Sequence, residues 1–139
     1  MTDAIYTAHA HAVGGRQGTA KSDDGHLDVA LGYPKSMGGN GEGTNPEQLF
    51  AAGYAACFQS AMAHVARQQK IGLTGSTVTG IVGLAPLEVG FKLEVALEVE
   101  TQGLTQDEAE ALVATAHKVC PYSNATRGNV DVAITTKAA

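Results

Sequence analysis

Between Phe91 and Glu100 the chain alternates. Phe91, Leu93, Val95, Leu97 and Val99 are apolar, and mostly charged residues stand between them. A period of two predicts a strand with one buried face and one wet face. Thr77–Leu84 and Asn129–Thr136 read as further strands. Near the N-terminus, Tyr6–Val13 and Arg16–Ser22 read as strands joined at Gly14-Gly15, a pair suited to positive φ in a hairpin turn. Asp24-Gly25 is a second hairpin signal, leading into a third strand at His26–Leu31. Two stretches break this rhythm. Asn45 suits an N-cap, Pro46 the first helical position and Gln48 the return half of a capping box, so a helix is expected from there to about Gln69. Its middle, Leu49–Ala63, is apolar or small on every side, the pattern of a helix buried all round. Thr105 with Glu108 forms a second capping box. The helix it opens carries Ala109, Leu112, Val113, Ala116, Val119 and Cys120 as one core-facing stripe. Pro121 disfavours helical geometry at Cys120, so that helix is expected to stop there. The order βββ–α–ββ–α–β indicates an α+β fold with antiparallel sheet.

Composition changes this picture little. The 139 residues are 44% hydrophobic and 17% charged, which is globular rather than disordered. No repeat or linker interrupts them, so one domain over residues 1–139 is expected. The formal net charge of -5, with basic residues scattered singly, speaks against nucleic acid or an anionic membrane as partner. The N-terminal stretch has no basic residue ahead of an apolar block. The longest apolar run, Leu49–Phe58, is far short of the ~18–20 residues that span a bilayer. A cytoplasmic protein is therefore expected.

Cysteine usage narrows the chemistry. In a reducing compartment two cysteines are more often catalytic, redox-active or metal-binding than a permanent staple. Cys57 lies inside the apolar helix, where a thiol is commonly just a small buried hydrophobe. It is too far from the helix N-terminus to draw reactivity from the dipole, and would need a cation from elsewhere. Cys120, at a helix end before a proline, is freer to move, as a resolving thiol must be. Glu47 in the first turn of the long helix suits that helix's dipole, and Arg16 is by default a solvated arginine at a hairpin. His9 and His11 share a strand face without further ligands of recognisable spacing. His117 and Cys120 at i and i+3 weakly suggest a metal or a Cys–His nucleophile. The glycines between Gly38 and Gly43 have neither a Walker lysine nor GxGxxG spacing. On the residues alone, a thiol hydrolase using Cys57 with His64 or His117 stays open. So does a redox sensor or a carrier of hydrophobic ligands.

The segments Gly43-Thr-Asn-Pro-Glu-Gln-Leu-Phe-Ala-Ala-Gly-Tyr-Ala-Ala-Cys57-Phe and Val119-Cys-Pro-Tyr-Ser-Asn-Ala-Thr-Arg-Gly-Asn129 resemble those of the organic hydroperoxide resistance (Ohr) family, part of the larger Ohr/OsmC group. Gly14-Gly15-Arg16 and Gly90-Phe91 extend the resemblance over nearly the whole chain. It implies an OsmC-like fold, with antiparallel sheets wrapped around central helices in an intertwined homodimer. It also implies a thiol-dependent peroxidase acting on organic and fatty-acid hydroperoxides. By the same resemblance Cys57 is the peroxidatic residue, Cys120 the resolving one, Arg16 the activating cation and Glu47 the carboxylate that orients it. No bound cofactor or metal is implied, and the reductant is an external dithiol, dihydrolipoamide or a lipoylated protein. Phe50, Phe58 and Met62 are candidate walls of an apolar substrate pocket.

Overall fold

A computed structural model describes residues 3–139, which fall into two compact units, one ending at Leu49 and the other spanning Phe50–Ala139. The first unit is a three-stranded antiparallel sheet of β1 (Ala10–Val13), β2 (Thr19–Ser22) and β3 (Asp28–Ala30), in that order. Val13 pairs with Thr19, and Thr19 also pairs with Ala30. The link between β1 and β2 is longer than the two-glycine turn expected. Gly14 and Gly15 take positive φ (81° and 58°), and Gly15–Gln17 form a 3-10 turn. Gly18 then folds back so tightly that a Cβ there would lie 1.7 Å from the Val13 carbonyl oxygen. Arg16 therefore projects from a turn rather than from a strand.

The long helix α1 spans Pro46–Gln68, within a residue of expectation. The Asn45 side chain caps it, accepting from the Gln48 N–H at 2.9 Å. The return half of that box is absent, because Gln48 Oε1 instead accepts from the Thr44 hydroxyl at 2.6 Å. At the other end Lys70 takes the left-handed conformation (φ 54°), where glycine is usual, and the Ile71 N–H bonds back to Ala66.

In the second unit, β4 (Gly75–Pro86) and β5 (Phe91–Gln102) form a long antiparallel hairpin, and β6 (Val132–Ala138) joins β5 in parallel. The parallel pair departs from the all-antiparallel pattern for a plain reason. The chain between β5 and β6 is a helical crossover, and a crossover returns a strand in the same direction. That crossover holds α2 (Gln106–Val119), with its Thr105/Glu108 capping box complete, and a short α3 (Pro121–Thr126) that the sequence reading did not anticipate. Pro121 ends α2 as expected, but it also occupies the first position of α3, where its missing N–H costs nothing.

The core lies between the helices and this sheet. Tyr54, Phe58, Met62 and Val65 of α1 meet Val95, Leu97 and Val99 of β5 and Ala109, Leu112 and Ala116 of α2. Close approach is built in at Gly80, where a Cβ would sit 2.5 Å from the Ala51 carbonyl oxygen. Val119 departs from the predicted stripe. It is 43% exposed because it lies at the stripe's edge, and Cys120 continues the buried face instead. The expectation that α1 is buried on every side is also not met within one chain. Ala52, Ala56 and Ser60 are exposed on the side opposite the core. No described helix is long and apolar enough to cross a membrane.

Candidate functional site

Two of the residue pairs singled out in the sequence come together, one in each unit. In the first, Arg16 Nη1 and Nη2 donate to Glu47 Oε1 and Oε2 at 2.8 and 3.1 Å. This fork-to-fork geometry fixes the plane of the guanidinium, which a lysine could not match. The positive φ of Gly14 and Gly15 lifts Arg16 out of the hairpin, and the Asn45 cap fixes where α1 begins and so where Glu47 sits. The Glu47 side chain is only 14% exposed, so the pair is screened less than a surface ion pair. The Glu47 hydrogen bonds raise the already high pKa of Arg16, which stays charged at any physiological pH.

In the second unit the sulfurs of Cys57 and Cys120, 63 residues apart in sequence, lie 3.7 Å from each other, with the Cys120 thiol donating to Cys57. Both are free thiols; Cys57 is partly exposed and Cys120 fully buried. A disulfide needs about 2.0 Å between sulfurs, so the pair is in contact but unbonded. Cys57 stands mid-helix on α1, and Cys120 occupies the joint between α2 and α3, with φ -60° and ψ 124°. Burial pushes the Cys57 thiol above its ordinary pKa. The Tyr122 backbone N–H works against that by bonding the sulfur, while the neighbouring Cys120 thiol pushes it further up. Left to these groups alone, Cys57 is a weaker acid than a free cysteine. A thiolate there needs an added positive charge.

The surroundings are aromatic. Tyr122 lies 5.6 Å from Tyr54 and 6.0 Å from Phe50 between ring centroids. Gly53 makes room for it, since a Cβ there would meet the Tyr122 hydroxyl oxygen at 2.7 Å. Of the expected pocket walls, Phe58 and Met62 are fully buried core residues and Phe50 is partly buried against the core. His117 bonds Ser123 through Nδ1 at 2.8 Å, and His64 is exposed. Arg127 is engaged locally, donating to the Asn124 side chain and to the His117 carbonyl, both at 2.5 Å. Among the described residues, no three His, Cys, Asp or Glu side chains converge in a metal-holding arrangement.

Sequence reasoning missed Tyr54 and Ser123 as partners. Their only signal was a hydroxyl inside an apolar helix and one within the Cys-Pro-Tyr-Ser stretch, and the 2.7 Å bond between them is long-range.

The OsmC-like protein family model matches residues 39–135. The organic hydroperoxide resistance protein of Xanthomonas axonopodis pv. citri is 53% identical over 133 residues, which cover 94% of this chain and 94% of that one. Among solved structures, the organic hydroperoxide resistance protein OsmC of Legionella pneumophila aligns with a TM-score of 0.93 at 56% identity, over 99% of this chain and 100% of that one. An organic hydroperoxide resistance protein of Elizabethkingia anophelis aligns with a TM-score of 0.94 at 49% identity, over 99% of each chain.

Proposed function

The chain belongs to the Ohr/OsmC family, and from that premise we propose that it is a cysteine-based peroxidase reducing organic and fatty-acid hydroperoxides to alcohols. The observation that carries this reading is the 3.7 Å contact between one partly exposed and one buried thiol. Contact in advance turns the second chemical step into an intramolecular one, where effective concentrations far exceed any free thiol.

The Cys57 thiolate attacks the outer oxygen of the hydroperoxide. The O–O bond breaks, an alcohol leaves after taking up a proton, and Cys57 becomes a sulfenic acid. The Cys120 sulfur then attacks Cys57, an S–S bond replaces the S–O bond, and water departs. An external dithiol, the dihydrolipoyl group of a lipoylated protein, restores both thiols by exchange. Because its surroundings push the Cys57 pKa up, the reading assigns Arg16 as the cation that favours the thiolate and Glu47 as the carboxylate that holds Arg16 in the required orientation. The aromatic neighbours of Cys57 that keep some exposure, Phe50 and Tyr122, favour alkyl and fatty-acid hydroperoxides over hydrogen peroxide. The single-domain organisation belongs to the same proposal, since α1 begins before Leu49 and runs through to Gln68.

Steady-state turnover of a bulky alkyl hydroperoxide tests this reading, with dihydrolipoamide and glutathione compared as reductants. Fast turnover with dihydrolipoamide and slow turnover with glutathione is the expected result. Failure of dihydrolipoamide to support any turnover removes the peroxidase reading.

The proposal includes an intertwined homodimer. The exposed small-residue side of α1, together with exposed Ile81, Leu87, Val89 and Phe91 on the β4–β5 hairpin, leaves more apolar surface than a lone soluble chain usually carries. Sedimentation at micromolar concentration is expected to give a dimer. A stable monomer would contradict it.

A further inference from the structure

Three side chains that no step above uses are linked through one buried oxygen. Ser123 Oγ lies 2.7 Å from Tyr54 Oη and 2.8 Å from His117 Nδ1. Tyr54 and Ser123 are fully buried. Each of the three stands three residues from a cysteine: Tyr54 before Cys57 on α1, His117 before Cys120 on α2, and Ser123 after Cys120 on α3. The His117–Ser123 bond thus spans the joint where Cys120 sits, and the Ser123–Tyr54 bond ties that joint to the helix that bears Cys57.

The hydrogen-bond inventory of the node closes. A serine hydroxyl has one proton to give and lone pairs to receive. With His117 neutral and its proton on Nε2, Nδ1 is an acceptor, so Ser123 can donate to it while accepting from the Tyr54 hydroxyl. Burial, and secondarily the Arg127 charge, lower the His117 pKa and favour the neutral ring. Thr126, also buried, donates to the Ser123 carbonyl at 3.2 Å and lies 3.4 Å from Tyr54 Oη. Around the joint, the Cys120 N–H bonds Ala116 O at 2.8 Å, and its carbonyl accepts from the Asn124 N–H at 2.9 Å. A satisfied buried polar network adds little net stability over an apolar packing of the same shape, but it fixes one geometry because its bonds are directional. The geometry fixed here is the placement of the Cys120 joint against the segment bearing Cys57.

We propose that Ser123, held between Tyr54 and His117, is the positioning residue for disulfide closure, setting how readily the Cys120 sulfur reaches Cys57. The inference rests on the peroxidase reading for the oxidant, an organic hydroperoxide. The closing step itself converts the Cys57 sulfenic acid and the Cys120 thiol into a disulfide and water. The Cys120 sulfur is oxidised, the Cys57 sulfur is reduced from the sulfenic state, and the hydroxyl leaves with the thiol proton. For closure the sulfurs must approach from 3.7 Å to about 2.0 Å. A node that holds Cys120 in contact makes the remaining movement short.

The test uses Ser123→Ala and Tyr54→Phe in the full-length protein, with two measurements. One is the dithiol–disulfide equilibrium in a dithiothreitol redox buffer, read by alkylation and intact mass; it needs no peroxide. The other is a single turnover with an alkyl hydroperoxide, in which trapping of the Cys57 sulfenic acid is timed separately from disulfide formation. Both variants are expected to keep the rate of the first oxidation while closure slows. Their equilibrium should move toward the dithiol by about tenfold, equivalent to about 30 mV for this two-electron couple. Closure and equilibrium unchanged in both variants would overturn the proposal. So would an equal slowing of both steps, which marks general loosening. If Ser123→Ala does not fold, Tyr54→Phe decides, since it keeps the ring and removes only the bond. If the wild type forms the disulfide in redox buffer but not with peroxide, the peroxidase reading fails while the equilibrium arm still judges Ser123.

Discussion

Replacing Cys57 by serine is expected to remove hydroperoxide consumption, a loss of about 10⁴-fold or more, the scale on which deleting a catalytic nucleophile acts. A serine hydroxyl titrates far above any thiol and does not attack the peroxide oxygen at neutral pH. Cys120→Ser is expected to behave differently. It leaves Cys57 able to make one attack, but the sulfenic acid then has no thiol in contact and proceeds to sulfinic acid as peroxide is added. Intact-protein mass spectrometry after graded peroxide separates the outcomes. Cys57→Ser should gain no oxygen at position 57, and Cys120→Ser should gain one and then two there. A Cys120→Ser protein whose Cys57 stays reduced under peroxide would show that the roles are misassigned. The asymmetry in burial makes this division of labour the favoured one, because of the two thiols only Cys57 keeps any exposure.

The second large effect is expected at Arg16. The groups around Cys57 raise its pKa on balance, burial most of all. On the proposed mechanism Arg16 offsets this, and its loss raises the pKa further. At a fixed pH below that pKa, Arg16→Ala has less thiolate and a lower rate, and the rising limb of the pH–rate profile moves to higher pH. Each unit of that movement is about tenfold in rate at low pH, or about 1.36 kcal/mol of anion stabilisation. Arg16→Lys keeps a charge but loses the two-pronged match to Glu47, whose bonds are 2.8 and 3.1 Å long. Its rate should fall between wild type and Arg16→Ala, and Glu47→Gln should also be impaired. Thiolate absorbance or alkylation rate against pH is the measurement. Arg127, the arginine in the same sequence stretch as Cys120, donates to Asn124 and to the His117 carbonyl near the end of α2. A cation there complements the helix dipole, so Arg127→Ala is expected to cost stability rather than shift the Cys57 titration. A raised titration in Arg127→Ala with an unchanged one in Arg16→Ala would transfer the role.

Much of this architecture is local in origin. The strict alternation from Phe91 onward could only be a half-buried strand, and it is β5, two residues longer than predicted. The Thr105/Glu108 box and the Asn45-Pro46 start mark helix ends because caps satisfy N–H groups within four residues of themselves. The structure departs from the local pattern where one residue serves two purposes. Pro121 predicts a stop because it disfavours helical geometry at Cys120, yet its fixed φ also suits the first position of α3. Gln48 fits a capping box by spacing, yet Thr44 takes its side chain instead. The parallel pairing of β6 with β5 could not be read from alternation, which has the same period in either direction.

From the chain alone, then, came the α+β class, both main helices with their caps, and the shortlist of Cys57, Cys120, Arg16 and Glu47, the last four through motif resemblance. Tertiary structure decided which of these meet: Arg16 with Glu47 across 31 residues, and Cys57 with Cys120 across 63. It also joined Tyr54 to Ser123, which nothing in their local sequence pairs. The physical reason is one of range. Caps, turns and strand alternation are short-range effects that a few neighbouring residues settle, and they leave their mark on the sequence around them. The acidity of a thiol and its reach to another thiol depend on what packing brings alongside it from distant parts of the chain, and burial of Cys57 exists only once α1 has packed into the core.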